Sequence, residues 1–167
     1  MNRGKKVALY GVIVATALAL GYLESLLPPF FVIPGMKLGL TNVVVLVVLY
    51  RMGGKSALAV NGLRILLVSF LFGSGMSFWY SLAGGLLSGI SMILLKRTGK
   101  FHIVTVSVAG GVLHNVGQIL VAMAVLRTAA VGWYLLVLWF AGLFAGALVG
   151  VLGAFLCARL SPKIFDK

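Results

Sequence analysis

The segment Glu24-Ser-Leu-Leu-Pro-Pro-Phe-Phe-Val-Ile-Pro-Gly-Met-Lys-Leu-Gly-Leu-Thr-Asn42 interrupts a chain that is otherwise almost continuous apolar helix. It sets Pro28, Pro29 and Pro34 between a carboxylate, Glu24, and the polar pair Lys37 and Asn42. Proline has no backbone N–H to donate and its ring clashes with the preceding turn, so a helix cannot run through the segment. Non-helical backbone at membrane depth is tolerated only where protein or a wet cavity covers it. The break over 27–37 therefore separates a first helix from a second, as an outer cap or a re-entrant piece, and marks the first place to look for a ligand.

The rest of the chain says what is being broken. Its 167 residues are 62% hydrophobic and 10% charged, with mean hydropathy +1.16. Soluble domains are about half apolar and about a quarter charged. Apolar runs longer than about 18 residues mark membrane spans. The pattern predicts helices over about 7–26, 38–51, 56–72, 77–95, 103–126 and 132–158, the second short for a full span. Together they make residues 1–167 a single all-α domain of six transmembrane helices. The first run is too long for a cleavable signal and reads as a retained helix. The one cysteine, Cys157, can form neither an internal disulfide nor a zinc site.

A net charge of +12 would suggest nucleic acid in a soluble protein. Here the basic residues are scattered over short loops, and topology explains them better. With the N-terminus inside, eleven of the fourteen Lys and Arg residues fall on cytoplasmic segments. That is the positive-inside bias. It predicts both termini in the cytoplasm of a multi-pass cell-membrane protein, with the bilayer as partner and no nucleic acid.

Small residues recur at spacing four: Ala15 and Ala19 in the first helix, Ser81, Gly85 and Gly89 in the fourth, Gly142, Gly146 and Gly150 in the sixth. Such stripes let helix backbones approach closely, either within the fold or against another membrane protein.

Ionisable residues inside hydrocarbon are candidate functional groups. Arg64 is the most costly, since a central arginine disfavours insertion by about 2.5–3.5 kcal/mol. Asn61 lies one turn away on the same helix face. Glu24 is the one carboxylate outside the tail and could pair with Arg64 or with Lys37, or close the outer end structurally. His114, Asn115 and Gln118 place an imidazole and two amides on neighbouring positions of the fifth helix, suited to a polar ligand or to bonding adjacent helices. No second residue stands at metal-ligand spacing from His114, so no metal is expected. The ligand-binding candidates are thus Glu24, Lys37, Asn42, Asn61, Arg64, His114, Asn115 and Gln118.

Other chemistry is excluded by composition. There is no phosphate-binding loop of the ATPase type. Two acidic residues in the chain cannot build the clustered carboxylates that hold magnesium and diphosphate, nor a general acid–base pair. An enzyme is not expected, nor a cofactor.

Several blocks, taken in order, resemble the Gx transporter family, also labelled heptaprenyl diphosphate synthase component I: Glu24-Ser-Leu-Leu-Pro-Pro, Pro34-Gly-Met-Lys-Leu-Gly-Leu-Thr-Asn42, Leu63-Arg-Ile-Leu-Leu67, Leu71-Phe-Gly73, Tyr80-Ser-Leu-Ala-Gly-Gly85 and His114-Asn-Val-Gly-Gln118. The resemblance covers about residues 7–155. The block from Lys37 to Asn42 further resembles the substrate-binding S components of energy-coupling factor (ECF) transporters. That likeness implies a six-helix bundle that captures a small metabolite and docks on a membrane T component and two ATPase subunits. It also implies that Ala15 and Ala19 take part in docking. The expected function is uptake of a small anionic or polar metabolite: Arg64 and Lys37 would hold an anionic group, the amides would supply hydrogen bonds, and Glu24 would position a cation or an amine. The alternative is a non-catalytic accessory subunit of isoprenoid or quinone metabolism.

Overall fold

The computed structural model describes residues 2–26, 39–72, 75–161 and 164–165. These form α1 (Arg3–Leu26), α2 (Leu40–Met52), α3 (Gly54–Phe72), α4 (Gly75–Arg97), α5 (Ile103–Leu126) and α6 (Tyr134–Arg159), the last entered through a 3-10 turn at Ala129–Trp133. The chain is all-helical among the described residues. Five helices, all but α2, are long and apolar enough to cross a membrane. The proline-rich break lies outside the described residues, and Lys37 with it.

The helix positions follow the hydropathy pattern, with differences at basic ends. α1 starts at Arg3 and α4 continues to Arg97, beyond the apolar runs that predicted them. Lysine and arginine end an apolar run, but they are good helix formers, so the helix outlasts its hydrophobic stretch.

Contacts between elements define the architecture. α2, α3, α4, α5 and α6 each touch the next, and α6 returns to α2, closing a ring; α1 packs against α2 and α3. α2 is therefore enclosed by α1, α3 and α6, and none of its residues is exposed. A helix that is apolar on every side belongs in such a place. Val45, Leu46, Val48 and Leu49 are almost fully buried and, with Val60 and Val106, form the heart of the core. The opposite pattern holds outside. Phe70, Trp133, Phe140, Phe144 and Phe155 stand exposed, as suits surfaces that a bilayer covers.

Glycine brings the other helices together. A Cβ on Gly146 would stand 2.7 Å from the Val108 Cα and 2.9 Å from the Ser107 carbonyl oxygen; one on Gly84 would stand 2.7 Å from the His114 carbonyl oxygen. α5 thus lies backbone to backbone against both α4 and α6. The glycines of α6 are spent on packing within the fold, as are Gly85 and Gly89, which face Ile65, Asn61 and Leu58 of α3. Ala15 and Ala19 are exposed on α1.

The end of the bundle carrying Arg51 and Lys96 is tied by cations on helix termini. Arg51 donates from its NH2 group to the carbonyls of Cys157 and Leu160 at the end of α6, the latter at 2.9 Å. Lys96 donates to the Leu49 carbonyl at 2.5 Å and lies 4.9 Å from the centre of the Tyr50 ring. Orphan carbonyls at a helix C-terminus favour positive charge. Arg51→Met should therefore cost about 1.5–3 kcal/mol, the range for hydrogen bonds to charged groups. Thermal unfolding in detergent would measure it; an unchanged melting temperature would mean that water or lipid caps α6 equally well.

Candidate functional site

Arg64 sits near the middle of α3, about 15 Å from its first residue, and is 8% exposed. Its guanidinium is held entirely by neutral oxygen. Nε donates to Asn61 Oδ1 at 3.0 Å, and NH2 donates to Asn61 Oδ1 at 2.9 Å and to Asn42 Oδ1 at 2.7 Å. NH1 donates to the Thr41 hydroxyl. Three side chains from two helices thus fix the plane of the guanidinium while leaving its charge uncancelled in direct contact.

Each holder is placed by the local fold. Asn61 lies one turn before Arg64, so its oxygen falls under the guanidinium, and its amide donates to the Gly85 carbonyl of α4 at 3.0 Å. Thr41 and Asn42 occupy the first turn of α2. That turn is set by Gly39, whose φ of 76° is left-handed, a conformation that glycine adopts without steric cost. Asn42 N–H donates to the Gly39 carbonyl at 2.8 Å. Gly39 N–H in turn donates to Glu24 Oε1 at 2.5 Å. Glu24 thereby offers its negative charge to the start of α2 from another helix, at the end where the helix dipole is positive. Glu24 and Arg64 are joined through the Gly39 turn rather than to each other.

A cleft of about 150 Å³ opens beside this assembly. Glu24, Asn42, Arg64, His114, Asn115 and Gln118 all line it, and Arg64 and Glu24 are the charged residues among the described lining. On α4 the lining runs from Ser77 to Met92, a length of about 22 Å by the rise of a helix. Hydroxyls of Thr41, Ser69, Ser77, Ser81, Ser88 and Ser107 border it. Asn61 does not line the cleft; it stands behind Arg64 and positions it. Asn115 donates to the Leu138 carbonyl of α6 at 2.7 Å, so it both lines the cleft and ties α5 to α6. His114 lies against Gly84 of α4, where a Cβ would come within 3.1 Å of its ring. Trp79 and Trp133 are largely exposed. Among the described residues no group of three His, Cys, Asp or Glu side chains comes together.

Sequence reasoning passed over Thr41, the Gly39 N–H and the serines. Thr41 adjoins Asn42, just after the break, and gave no signal separate from it. A helical serine gives little signal of its own, because its hydroxyl can bond its own helix.

Asn61→Leu removes two bonds to a buried charge and one to a backbone carbonyl. We expect a loss of about 1.5–3 kcal/mol, read as a lower melting temperature. Retention of wild-type stability would show that solvent in the cleft takes over the role of Asn61.

Helices of membrane-spanning length around a polar cleft are those of a multi-pass membrane protein. The family model described as heptaprenyl diphosphate synthase component I matches residues 13–156, and the chain belongs to that family. No curated protein and no solved structure matches the chain.

Proposed function

We propose that this protein is a substrate-binding membrane subunit that captures a small polar or anionic metabolite in the cleft that α1 to α6 all line. The observation that carries the reading is the buried Arg64 guanidinium, held by neutral partners on the wall of a cleft. A buried charge without a counter-charge is expensive, and an anionic ligand group offsets it. In this reading α2 is the sixth membrane segment, both termini are cytoplasmic, and the protein performs no catalysis. Transport energy comes from partners of the S-component kind, a membrane T component and two ATPase subunits, with the exposed Ala15 and Ala19 on the docking face.

The family description favours a second reading, an accessory subunit of a heptaprenyl diphosphate synthase. The cleft argues against a prenyl chain as its occupant. About 150 Å³ is the size of an engineered cavity that holds benzene, far smaller than a heptaprenyl group. Native mass spectrometry of the protein purified gently from its own membranes decides between the two. A small polar adduct, with T-component and ATPase partners, is the expected result. A prenyl lipid or a soluble prenyltransferase in its place would overturn the proposal.

A further inference from the structure

The charges lining the cleft have a balance that narrows the ligand further. Arg64 and Glu24 border the same space. The guanidinium is bound by Asn61, Thr41 and Asn42, all neutral. The carboxylate accepts one bond, from Gly39 N–H to Oε1; among the described residues its second oxygen has no partner. One turn of backbone, Gly39 to Asn42, holds the two groups apart: Gly39 binds Glu24 and Asn42 binds Arg64. A simple anion would answer Arg64 and be repelled by Glu24. A polyanion would be worse served, since one guanidinium is the whole positive charge among the described lining residues.

We propose that the cleft binds a compact zwitterion of the amino-acid kind, with its carboxylate at Arg64 and its ammonium at Glu24. The inference rests on reading the cleft as a ligand site and adds the chemical class of the ligand. Each charge then meets its opposite in a part-buried cleft, where opposite charges attract more strongly than in bulk water. The volume, about 150 Å³, admits a body near the size of benzene. The bordering hydroxyls of Ser69, Ser77 and Ser81 suit an uncharged polar side group.

The test uses the purified full chain in lipid nanodiscs. Thermal shift screens the twenty common amino acids, and calorimetry then compares each binder with two analogues, one lacking the amino group and one lacking the carboxylate. The expected result is binding of at least one amino acid, with both analogues at least tenfold weaker. Glu24→Gln keeps an oxygen for Gly39 N–H and so should fold. It is expected to weaken the amino acid at least tenfold and to tighten binding of the des-amino acid, which it no longer repels, while Arg64→Met weakens both. If the des-amino acid binds wild type as tightly as its parent, or Glu24→Gln binds the amino acid normally, the zwitterion is overturned and the anion site stands. If no amino acid binds, the zwitterion is again overturned, and the mass-spectrometric experiment judges the site separately.

Discussion

Arg64→Met is expected to fold as well as wild type and to lose its ligand. The two halves of that result have different causes. The folded protein keeps a buried charge without a counter-charge in contact, and replacing such a group by an apolar one of similar length is often neutral or stabilising. The oxygens left behind on Asn61, Thr41 and Asn42 belong to neutral groups, two of which border a cleft that can admit water. The ligand, in contrast, loses its only cationic partner among the described lining residues. Truncating one side of a buried charge pair costs about 2–5 kcal/mol or more, which at 1.4 kcal/mol per decade is roughly a thirtyfold to several-thousandfold loss of affinity. Native mass spectrometry would show the adduct gone from the variant, and a melting curve would show the fold kept. A variant that melts far below wild type would make Arg64 a structural residue. One that melts normally and still carries the adduct would move the site elsewhere.

Gly146→Leu should have the largest effect on the fold. Both faces of this position are backbone: Val108 Cα at 2.7 Å and the Ser107 carbonyl oxygen at 2.9 Å from where a Cβ would stand. Backbone cannot rotate away as a side chain can, so α6 must leave α5. Even Gly146→Ala, one methyl, falls under the usual penalty for overpacking, about 1–3 kcal/mol. The leucine variant is expected to lose its cooperative melt and its single peak on gel filtration. Gly11→Leu is the control, because no atom lies within 4 Å of a Cβ there. Equal behaviour of the two leucine variants would mean that α5 and α6 are less closely apposed than the structure has them.

The helices were legible because hydropathy acts over a whole helix. Long apolar runs gave the helices, and the one region without them marked the break. The site was legible only in part. Arg64, Glu24 and Asn42 announce themselves, since a polar group in an apolar run is costly and needs a reason. Their mutual arrangement could not be read, because it depends on the Gly39 turn and on α2 lying between α1 and α3. The fold lets Glu24 and Arg64 border one cleft by running Arg64 toward the first turn of α2. Asn61 reads as a ligand group in sequence and proves to be a support behind Arg64, a distinction that only the third dimension makes. The glycine stripe of α6 was ambiguous between an internal and an external partner, and α5 is that partner.

α2 has thirteen residues and so measures about 20 Å, against about 30 Å of hydrocarbon. A helix that short would ordinarily force lipid to thin around it. Here none of its residues is exposed, because α1, α3 and α6 surround it. Acyl chains have little of α2 to meet, and hydrophobic mismatch, which tilts or strains a helix according to the local bilayer, falls mainly on the five longer helices. The segment bearing Thr41 and Asn42 is thus set back from the lipid boundary, so the α2 half of the guanidinium's anchoring is shielded from direct contact with whichever membrane holds the protein.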